Sequence, residues 1–300
     1  MSNRTDSSSF EPSGEPSQTT INGTVLAVQA NFYRVRVDSA PQDLATLAFP
    51  THSLLCTRRA RLKKIGQRVM VGDRVRVDEV DWQGERGAIA AVQPRSSELD
   101  RPPVANADHL LLVFAIEQPR LDPYQLSRFL IKAESTGIPV QLCLSKGDLA
   151  TEPERQMWHD RLSAWGYPPL VISVESGLGM EALHHSLVDR HTIISGPSGV
   201  GKSSLINYLI PALALRVGAV SGKLQRGRHT TRHVELFELP AGGLLADTPG
   251  FNQPELICAP NELMQYFPEI QQVSAAHTCQ FDDCLHDHEP NCAVRSSVWE

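Results

Sequence analysis

The sequence predicts a multidomain protein with an N-terminal β-barrel of the OB type, a central α/β domain built around a phosphate-binding loop, and a small zinc-binding C-terminal domain. Three observations support this prediction. Short strand-like runs fill residues 21–95, strand and helix patterns alternate over residues 104–252, and three cysteines and a histidine cluster in residues 253–300. Residues 1–20, rich in Ser, Thr, Pro and Glu, are expected to be a disordered tail.

The composition is ordinary for a globular protein, with 41% hydrophobic and 21% charged residues in a chain of 300. No apolar run approaches the roughly 18 residues that a bilayer-spanning helix needs, so no membrane contact is expected. The N-terminus also lacks the apolar central region of a secretory signal. We therefore expect a cytoplasmic protein.

The barrel prediction depends on residues 21–95, where "TVLAVQANFYRVRV", "RVMVGDRVRVDEV" and "ERGAIAAVQ" have strand spacing and no helical period intervenes. About five short strands in a segment of this size favour a closed OB-type barrel. This segment is basic, although the whole chain carries a net charge of −6. A polyanionic partner and an ordinary solvated surface both fit that contrast.

A basic loop is expected between two barrel strands, within "LLCTRRARLKK". Its charge suits the phosphates of a nucleic-acid backbone, and a solvated hairpin is the alternative. Its basic residues are Arg58, Arg59, Arg61, Lys63 and Lys64.

The α/β prediction begins after a Pro- and Ser-containing linker at residues 93–108. The buried strand "HLLLVFAIE" is followed by the amphipathic helix "DPYQLSRFLIKAESTG", and the alternation then repeats until "HTIISG". Strands that alternate with helices indicate a parallel sheet covered on both faces. "HVELFELPAGGLLAD" is expected to form a hairpin.

The stretch "GPSGVGKS" at residues 196–203 matches the pattern GxxxxGK(S/T) between a predicted strand and a predicted helix. Backbone N–H groups at the glycines would face nucleotide phosphates, Lys202 would reach the β and γ phosphates, and Ser203 would ligate Mg²⁺. A chance turn is the alternative. The predicted contacts are Gly196, Pro197, Ser198, Gly199, Val200, Gly201, Lys202, Ser203 and Ser204.

Two further loops complete the predicted nucleotide site. In "DTPG", Asp247 would support the metal and the Gly250 N–H would sense the γ-phosphate, although these residues also spell a simple turn. In "LCLSKGDL", Lys146 and Asp148 match the Asn-Lys-x-Asp signature of guanine-binding proteins, with Ser145 in the place of Asn. Ser173 in "VISVESG" would support the base.

These loops have an unusual order, because the base-binding loops precede the phosphate-binding loop. The carboxyl ends of parallel strands share one edge of a sheet, so a rotated chain order leaves such a site intact. The α/β domain is therefore expected to be circularly permuted. Its phosphate-sensing segments, near residues 225–251, then lead directly into the C-terminal domain.

A metal site is expected at the C-terminus, where Cys279, Cys284, His286 and Cys292 have the spacing C-x4-C-x-H-x5-C. Three thiolates and one imidazole would complete a tetrahedral, structural Zn²⁺ site. His277 and His288 compete with His286 on position, and a helical cap with reduced cysteines is the alternative.

The combination of an OB-like N-terminus, a permuted phosphate-loop domain and a Cys3His unit resembles the bacterial ribosome small-subunit-dependent GTPase A family. The resemblance covers about residues 21–294 and includes "GPSGVGKSSL", "GRHTT", "DTPGF" and "CQFDDCLHDHEPNCAV". It implies a monomeric GTPase that binds the small ribosomal subunit and its rRNA, acts in late subunit assembly, and uses GTP with Mg²⁺ and one structural Zn²⁺.

The resemblance also implies roles for single residues. Thr230 or Thr231 in "GRHTT" would contact Mg²⁺ and the γ-phosphate, and His229 is the candidate catalytic residue. Phe251 follows Gly250, where many GTPases place a water-orienting Gln, so the intrinsic rate should be about 10⁻⁴ to 10⁻² s⁻¹ and the subunit should stimulate it. Ser145 is expected to weaken guanine binding.

Two alternative functions remain open on the sequence. A P-loop ATPase or kinase has Ser145 in its favour and Asp148 against it. An RNA-binding module that uses the nucleotide only as a clamp would need no hydrolysis.

Overall fold

The computed structural model describes residues 20–38, 53–100, 103–213, 234–247 and 258–298. Its N-terminal part is a closed five-stranded barrel with the strand order β1-β2-β3-β5-β4, which confirms the predicted barrel. The inward side chains alternate along the strands, and Val25, Val35, Cys56, Val75 and Ile89 are fully buried. The strands are β1 Ile21–Gln29, β2 Phe32–Val37, β3 Ser53–Arg58, β4 Arg74–Asp81 and β5 Arg86–Val92.

The expected basic loop is partly wrong. Arg59, Arg61, Lys63 and Lys64 do lie between two barrel strands, but Arg58 belongs to strand β3 and residues Ala60–Lys64 form a short helix, α1. Leu54 and Cys56 point into the barrel and Leu62 of α1 is buried, so the apolar residues of the segment fix its structure. The basic residues therefore lie at the end of a strand and on a helix.

The expected linker contains a small antiparallel hairpin of β6 (Glu98–Asp100) and β7 (Pro103–Ala105). Leu99 and Val104 are buried in the core that also contains Val71 of the barrel segment. The hairpin therefore packs between the barrel and the α/β domain.

The α/β domain contains a six-stranded sheet with the order β10-β9-β8-β11-β13-β12. All strand pairs are parallel except β12 with β13, which is the predicted hairpin. The strands are β8 His109–Ala115, β9 Val140–Ser145, β10 Leu170–Val171, β11 His191–Ser195, β12 Leu236–Glu238 and β13 Leu244–Asp247. The helices are α2 Pro123–Glu134, α3 Glu152–Ala164, α4 Met180–Leu187 and α5 Lys202–Leu209.

Strand β8 shows why the sheet is covered on both faces. Its seven residues are all buried, and alternate side chains contribute to two separate cores. Leu110, Leu112 and Phe114 belong to one core, whereas Leu111 and Val113 belong to the other. This is the doubly covered parallel sheet that the sequence predicts.

The barrel contacts the edge of this sheet at β12. Arg34 of β2 pairs with Glu235, and the Arg36 Nε lies 3.3 Å from the Glu238 Oε1. A bridge also joins the backbones of Ala27 and Glu235. The edge strand of the sheet is thereby tied to the barrel.

The C-terminal part contains α6 (Pro260–Leu263), a 3₁₀-helix (Met264–Tyr266), α7 (Pro268–Ala276) and α8 (Ala293–Val298). Its buried apolar set is small and includes Cys284, Cys292 and Val294. Of the helices in the described part of the chain, none combines the length and apolar composition needed to cross a bilayer.

Candidate nucleotide site and candidate metal centre

The loop between β11 and α5 contains glycines in backbone conformations that other residues rarely adopt. Gly196 has φ +139°, and a Cβ at this position would lie 2.0 Å from the carbonyl oxygen of Val113 in the neighbouring strand. Gly201, with φ +94°, starts α5 from the left-handed region. The loop therefore lies against the sheet edge, and its N–H groups precede a helix N-terminus, as an anion site requires.

Lys202 lies over this loop. Its Nζ donates hydrogen bonds of 2.6 Å to the carbonyl oxygens of Gly196 and Pro197. Burial lowers the pKa of Lys202, and the nearby Asp247 carboxylate opposes that shift. Ser203 and Ser204 are exposed in the first turn of α5, where a Mg²⁺ ligand is expected.

Asp247 ends β13 and is paired in register with Ile194 of β11, so it lies on the strand next to the phosphate-binding loop. Its side chain is exposed. The other predicted residues of this region, His229, Thr230, Thr231 and Gly250, lie outside the described residues.

The structure places Ser145 beneath the phosphate-binding loop. Ser145 is the last residue of β9 and is buried, and its hydroxyl lies between two carbonyl oxygens to which it can donate. These are Val200 O of the loop at 2.6 Å and Phe114 O of β8 at 3.1 Å. The serine hydroxyl thus connects β9 to the loop after β11.

Lys146 makes a second connection. It has a left-handed backbone with φ +56°, which turns its side chain back across the sheet edge. Its Nζ donates a 2.9 Å hydrogen bond to Gly199 O and a further one to Gln118 O. The loops after β8, β9 and β11 therefore meet at one ammonium group.

Asp148 lies in a 3₁₀-turn, Gly147–Leu149, with an exposed side chain. Among the described residues its carboxylate has no hydrogen-bond or ion-pair partner, so both oxygens remain available to a base. Arg155 fixes the turn, because its Nη1 donates to Gly147 O at 2.8 Å and to Ala150 O at 2.7 Å. Arg155 and Gln118 support this site although no motif in the sequence marked them.

Ser173 lies in the adjacent loop after β10 and is buried. Its Oγ accepts a 3.1 Å hydrogen bond from Ser176 N, which shapes the loop. The loop also accepts a 2.9 Å hydrogen bond from Gly147 N at Ile172 O, and a Cβ at Gly147 would lie 2.6 Å from Val171. The loop that contains Ser173 thus supports the Asp148 turn through Ile172.

The strand register brings these loops to one edge. Ala115 pairs with Ser145, and Leu112 pairs with Ser195, so β8, β9 and β11 end at the same side of the sheet. Asp148 and Lys202 therefore lie in loops at the same edge of the sheet.

A second site lies in the C-terminal part, where Cys279, Cys284, His286 and Cys292 bring four ligand atoms within 4.8 Å of one another. The His286 Nδ1 lies 3.6 Å from the Cys279 Sγ and 3.3 Å from the Cys292 Sγ. These two thiol sulfurs are 4.0 Å apart. Ligand separations of about 3.5–3.8 Å follow from tetrahedral Zn–S and Zn–N bonds, so this donor set fits a zinc ion.

The loop geometry favours His286 over His288 as the histidine ligand of the metal centre. His286 has φ +61°, and its ring turns toward the sulfurs, whereas the side chain of His288 is 89% exposed. The Glu289 carboxylate accepts hydrogen bonds from the backbone N–H groups of Leu285, Asp287 and His288 at 3.0–3.2 Å. The bond from Leu285 is the main cause that lowers the pKa of Glu289 to about 2, and this ionised carboxylate holds the ligand loop.

Comparisons with known proteins agree with this arrangement. Residues 92–257 match the model of the RsgA GTPase family. The small ribosomal subunit biogenesis GTPase RsgA of Trichormus variabilis is 59% identical over 291 residues, which cover 93% of this chain and 78% of the relative. YjeQ from Thermotoga maritima is similar in structure, with a TM-score of 0.76, 28% identity, and coverage of 94% of this chain and 92% of YjeQ. YloQ, described as a circularly permuted GTPase, gives a TM-score of 0.75 at 30% identity, covering 94% and 88%.

Proposed function

The chain belongs to the RsgA GTPase family of GTP-hydrolysing enzymes, and from this premise we infer that it acts in the maturation of the small ribosomal subunit. One observation carries the GTPase assignment. The Lys146 side chain bonds the loop after β9 to Gly199, and the Ser145 hydroxyl bonds the same strand to Val200. These bonds support the proposal that the loop after β9 binds guanine in the same cleft in which the loop after β11 binds the phosphates.

In this cleft, the phosphates are proposed to bind the backbone N–H groups of residues 196–203 and the Lys202 ammonium. The two carbonyl oxygens that Lys202 now contacts hold its charge at the mouth of the loop. A γ-phosphate is a stronger acceptor than a carbonyl, so Lys202 would exchange these bonds for a charge-assisted one. The helix N-terminus of α5 adds its partial positive charge.

The base is proposed to bind at Asp148, whose carboxylate would accept from guanine N1–H and the N2 amino group. Adenine offers an acceptor at N1 and no N2 amino group, so the same carboxylate would repel it. Ser145 would act indirectly, because its hydroxyl is occupied by main-chain carbonyls beneath the phosphate-binding loop. In this proposal Asp148 selects guanine, whereas Ser145 positions the loop after β9 against the phosphate-binding loop.

Hydrolysis would take place at the γ-phosphate end of the cleft. Mg²⁺ would be held by Ser203 and by Thr230 or Thr231, with Asp247 in support, and it would neutralise charge that develops on the phosphates. The Gly250 N–H would contact the γ-phosphate, and His229 would orient the attacking water. Phe251 offers no hydrogen-bonding group for this water, which is why stimulation by the subunit is part of the proposal.

The metal centre is proposed to bind one structural Zn²⁺ through Cys279, Cys284, His286 and Cys292. Four protein ligands leave no open coordination position for a substrate. The few buried apolar residues of this part of the chain cannot supply a large core, and a bound zinc ion can contribute on the order of 10 kcal/mol.

The rRNA contact is proposed to involve the barrel surface at Arg61, Lys63 and Lys64, which are exposed on α1. Arg58 and Arg59 are less available, since Arg58 donates to Gln67 O and Arg59 pairs with Glu79. The C-terminal metal unit is the second proposed contact. The active form is proposed to be a cytoplasmic monomer bound to the subunit.

The test is GTP hydrolysis measured with and without purified small ribosomal subunits over a range of salt concentrations. We expect stimulation by the subunit that falls steeply as salt rises, and no hydrolysis in Lys202→Ala. A Lys63→Glu, Lys64→Glu variant should keep the intrinsic rate and lose most of the stimulation. A preference for ATP over GTP, or release from the subunit at a normal rate in Lys202→Ala, would contradict the proposal.

A further inference from the structure

A cavity of about 220 Å³ lies between the α/β domain and the C-terminal part. Its walls include four aromatic side chains and one carboxylate, and we refer to it as the junction cavity. These residues are Trp165, Tyr167, Tyr266, Phe267 and Glu269. The remaining wall is mostly apolar and comes from α2, with Leu130 and Ile131, and from Pro268 of α7.

The carboxylate of Glu269 is the unusual member of this wall. Its Oε2 is shielded from solvent and has no hydrogen-bond partner among the described residues. Burial raises the pKa of Glu269, and a hydrogen bond from its own backbone N–H opposes that shift. None of the described residues that line the junction cavity is basic. A buried acceptor of this kind is stabilised when a cationic donor binds next to it.

The aromatic side chains add to the preference for a cation. The faces of tryptophan, tyrosine and phenylalanine rings carry negative potential and attract ammonium and guanidinium groups. The Tyr167 hydroxyl donates a 2.9 Å hydrogen bond to the Glu134 Oε1, so a second carboxylate lies close to the cavity wall. Burial is the main cause that raises the pKa of Tyr167, and the nearby Glu134 and Glu269 carboxylates raise it further.

The walls of the junction cavity are held in place. The Arg161 guanidinium lies 5.2 Å from the centroid of the Trp165 ring and fixes that ring on the protein surface. Gly166 has φ +88°, and a Cβ there would lie 3.2 Å from the Pro268 Cβ, so the two sides of the cavity touch at this point. The Tyr167 ring is buried, and its hydroxyl donates a hydrogen bond to Glu134.

We propose that the junction cavity binds a small organic cation, with its guanidinium or alkylammonium group against Glu269 and the four aromatic rings. The volume supports a ligand of this size, because it exceeds the space for a few waters but is below that of typical pockets for drug-sized ligands. The site is separate from the nucleotide cleft, so it constitutes a second ligand site in this chain.

The test is an NMR titration of the full chain with methylguanidinium chloride, observed at the Trp165 indole N–H. Methylurea serves as the uncharged ligand of similar shape, and NaCl serves as the control for ionic strength. We expect saturable shifts with methylguanidinium only. Equal shifts with methylurea, or shifts that do not saturate, would overturn the proposal.

Two variants assign the binding to the cavity. Glu269→Gln preserves the size of the side chain and removes its charge, and it should weaken binding about tenfold. Phe267→Leu preserves an apolar wall and removes one aromatic face, and it should weaken binding severalfold. Glu181→Gln, which alters an exposed carboxylate on α4, should bind like the unaltered protein. Unchanged affinity in Glu269→Gln and Phe267→Leu would refute the assignment.

Discussion

The Lys146 Nζ donates a 2.9 Å hydrogen bond to the carbonyl oxygen of Gly199, and 53 residues separate the two along the chain. This bond connects the loop that follows β9 with the loop that follows β11. A rotated chain order changes which loop comes first but not which loops share the sheet edge. The hydrogen bond from Lys146 therefore helps to fix the position of the loop after β9 relative to the loop after β11.

Replacing Ser145 tests whether it acts on loop position. Ser145→Ala removes the donor to Val200 O and leaves a buried carbonyl without it, at a cost of about 1–3 kcal/mol. We expect GTP affinity to fall about tenfold while the preference for GTP over ATP is retained. Titration with fluorescent GTP and ATP analogues measures both. Ser145→Asn, which can donate to the same carbonyl, should retain most of the affinity, and a loss of GTP selectivity in Ser145→Ala would mean that Ser145 contacts the base.

Replacing Asp148 should change the base that the cleft accepts. Asp148→Asn removes a carboxylate that would accept two hydrogen bonds from guanine, and bonds to charged groups contribute about 1.5–3 kcal/mol each. GTP affinity should fall by about 100-fold or more. Xanthosine triphosphate should bind better to the variant than to the unaltered protein, because the asparagine amide can donate to the oxygen that xanthine carries in place of the guanine N2 amino group. Competition between the two nucleotides measures this exchange. A matched variant on α3, Asp160→Asn, should leave the GTP affinity unchanged, since the exposed Asp160 carboxylate lies next to His159 and away from the Asp148 turn.

Removing a ligand of the metal centre should release zinc and unfold the C-terminal part. Cys284→Ser leaves three ligands in a unit with a small apolar core, so we expect the zinc content to drop and the stability of this unit to fall by several kcal/mol. Elemental analysis and near-UV circular dichroism report the two effects. His288→Ala is the matched control, because His288 is exposed and outside the ligand set, and zinc loss in that variant would contradict the assignment of His286.

The fold was predictable where a local pattern determined the structure. Strand β8 contains an unbroken apolar run over residues 110–115, which is typical of a strand covered on both faces. The cysteine and histidine spacing likewise limits the ligands to a single small unit. In both cases the local sequence alone is enough to predict the structure.

Other features depend on contacts between distant segments. Leu54 and Cys56 alternate as in a strand, but the basic residues that follow them dominate the local composition and led to the loop prediction. Leu99 and Val104 are buried only because Val71 and the α/β core lie against them, so the 93–108 segment reads as a linker when taken alone. The direction of the Ser145 hydroxyl depends on Val200, 55 residues away.

The contact between barrel and sheet edge can be tested by exchanging charges. Arg34→Glu places a carboxylate next to Glu235 and should weaken the junction, and adding Glu235→Arg should restore it. Both side chains are about one-third exposed, so the coupling should be small, about 0.2–1 kcal/mol. A double-mutant cycle from urea unfolding measures it. Lys63→Glu makes the same charge change on α1, where no ion-pair partner is found among the described residues, and its effect should not depend on Glu235→Arg.

Acid should destabilise the protein partly through His109, at the start of β8. His109 is buried, with its Nδ1 3.0 Å from the Thr192 Oγ1 and its Nε2 3.0 Å from the Gln141 Oε1. Neutral imidazole satisfies both contacts by accepting from Thr192 and donating to Gln141. Burial, aided by Arg190, lowers the pKa of His109 to about 4. The native state therefore keeps this ring neutral at pH values where the unfolded chain, with a pKa of about 6.5, binds a proton.

The sign of the effect follows from proton linkage. Between about pH 6.5 and pH 4 the unfolded state binds more protons at this residue, so the free energy of unfolding decreases as the pH falls through that window. The His109→Gln side chain can bond both neighbours without titrating. As the pH falls from about 7.5 to about 5, the stability of this variant should therefore increase relative to that of the unaltered protein. Urea unfolding at the two pH values measures this difference. His159→Gln, at an exposed histidine, is the control, and an equal pH response in His109→Gln and His159→Gln would exclude His109 as a source of acid sensitivity. Burial also lowers the pKa of His191, so some acid sensitivity should remain in His109→Gln.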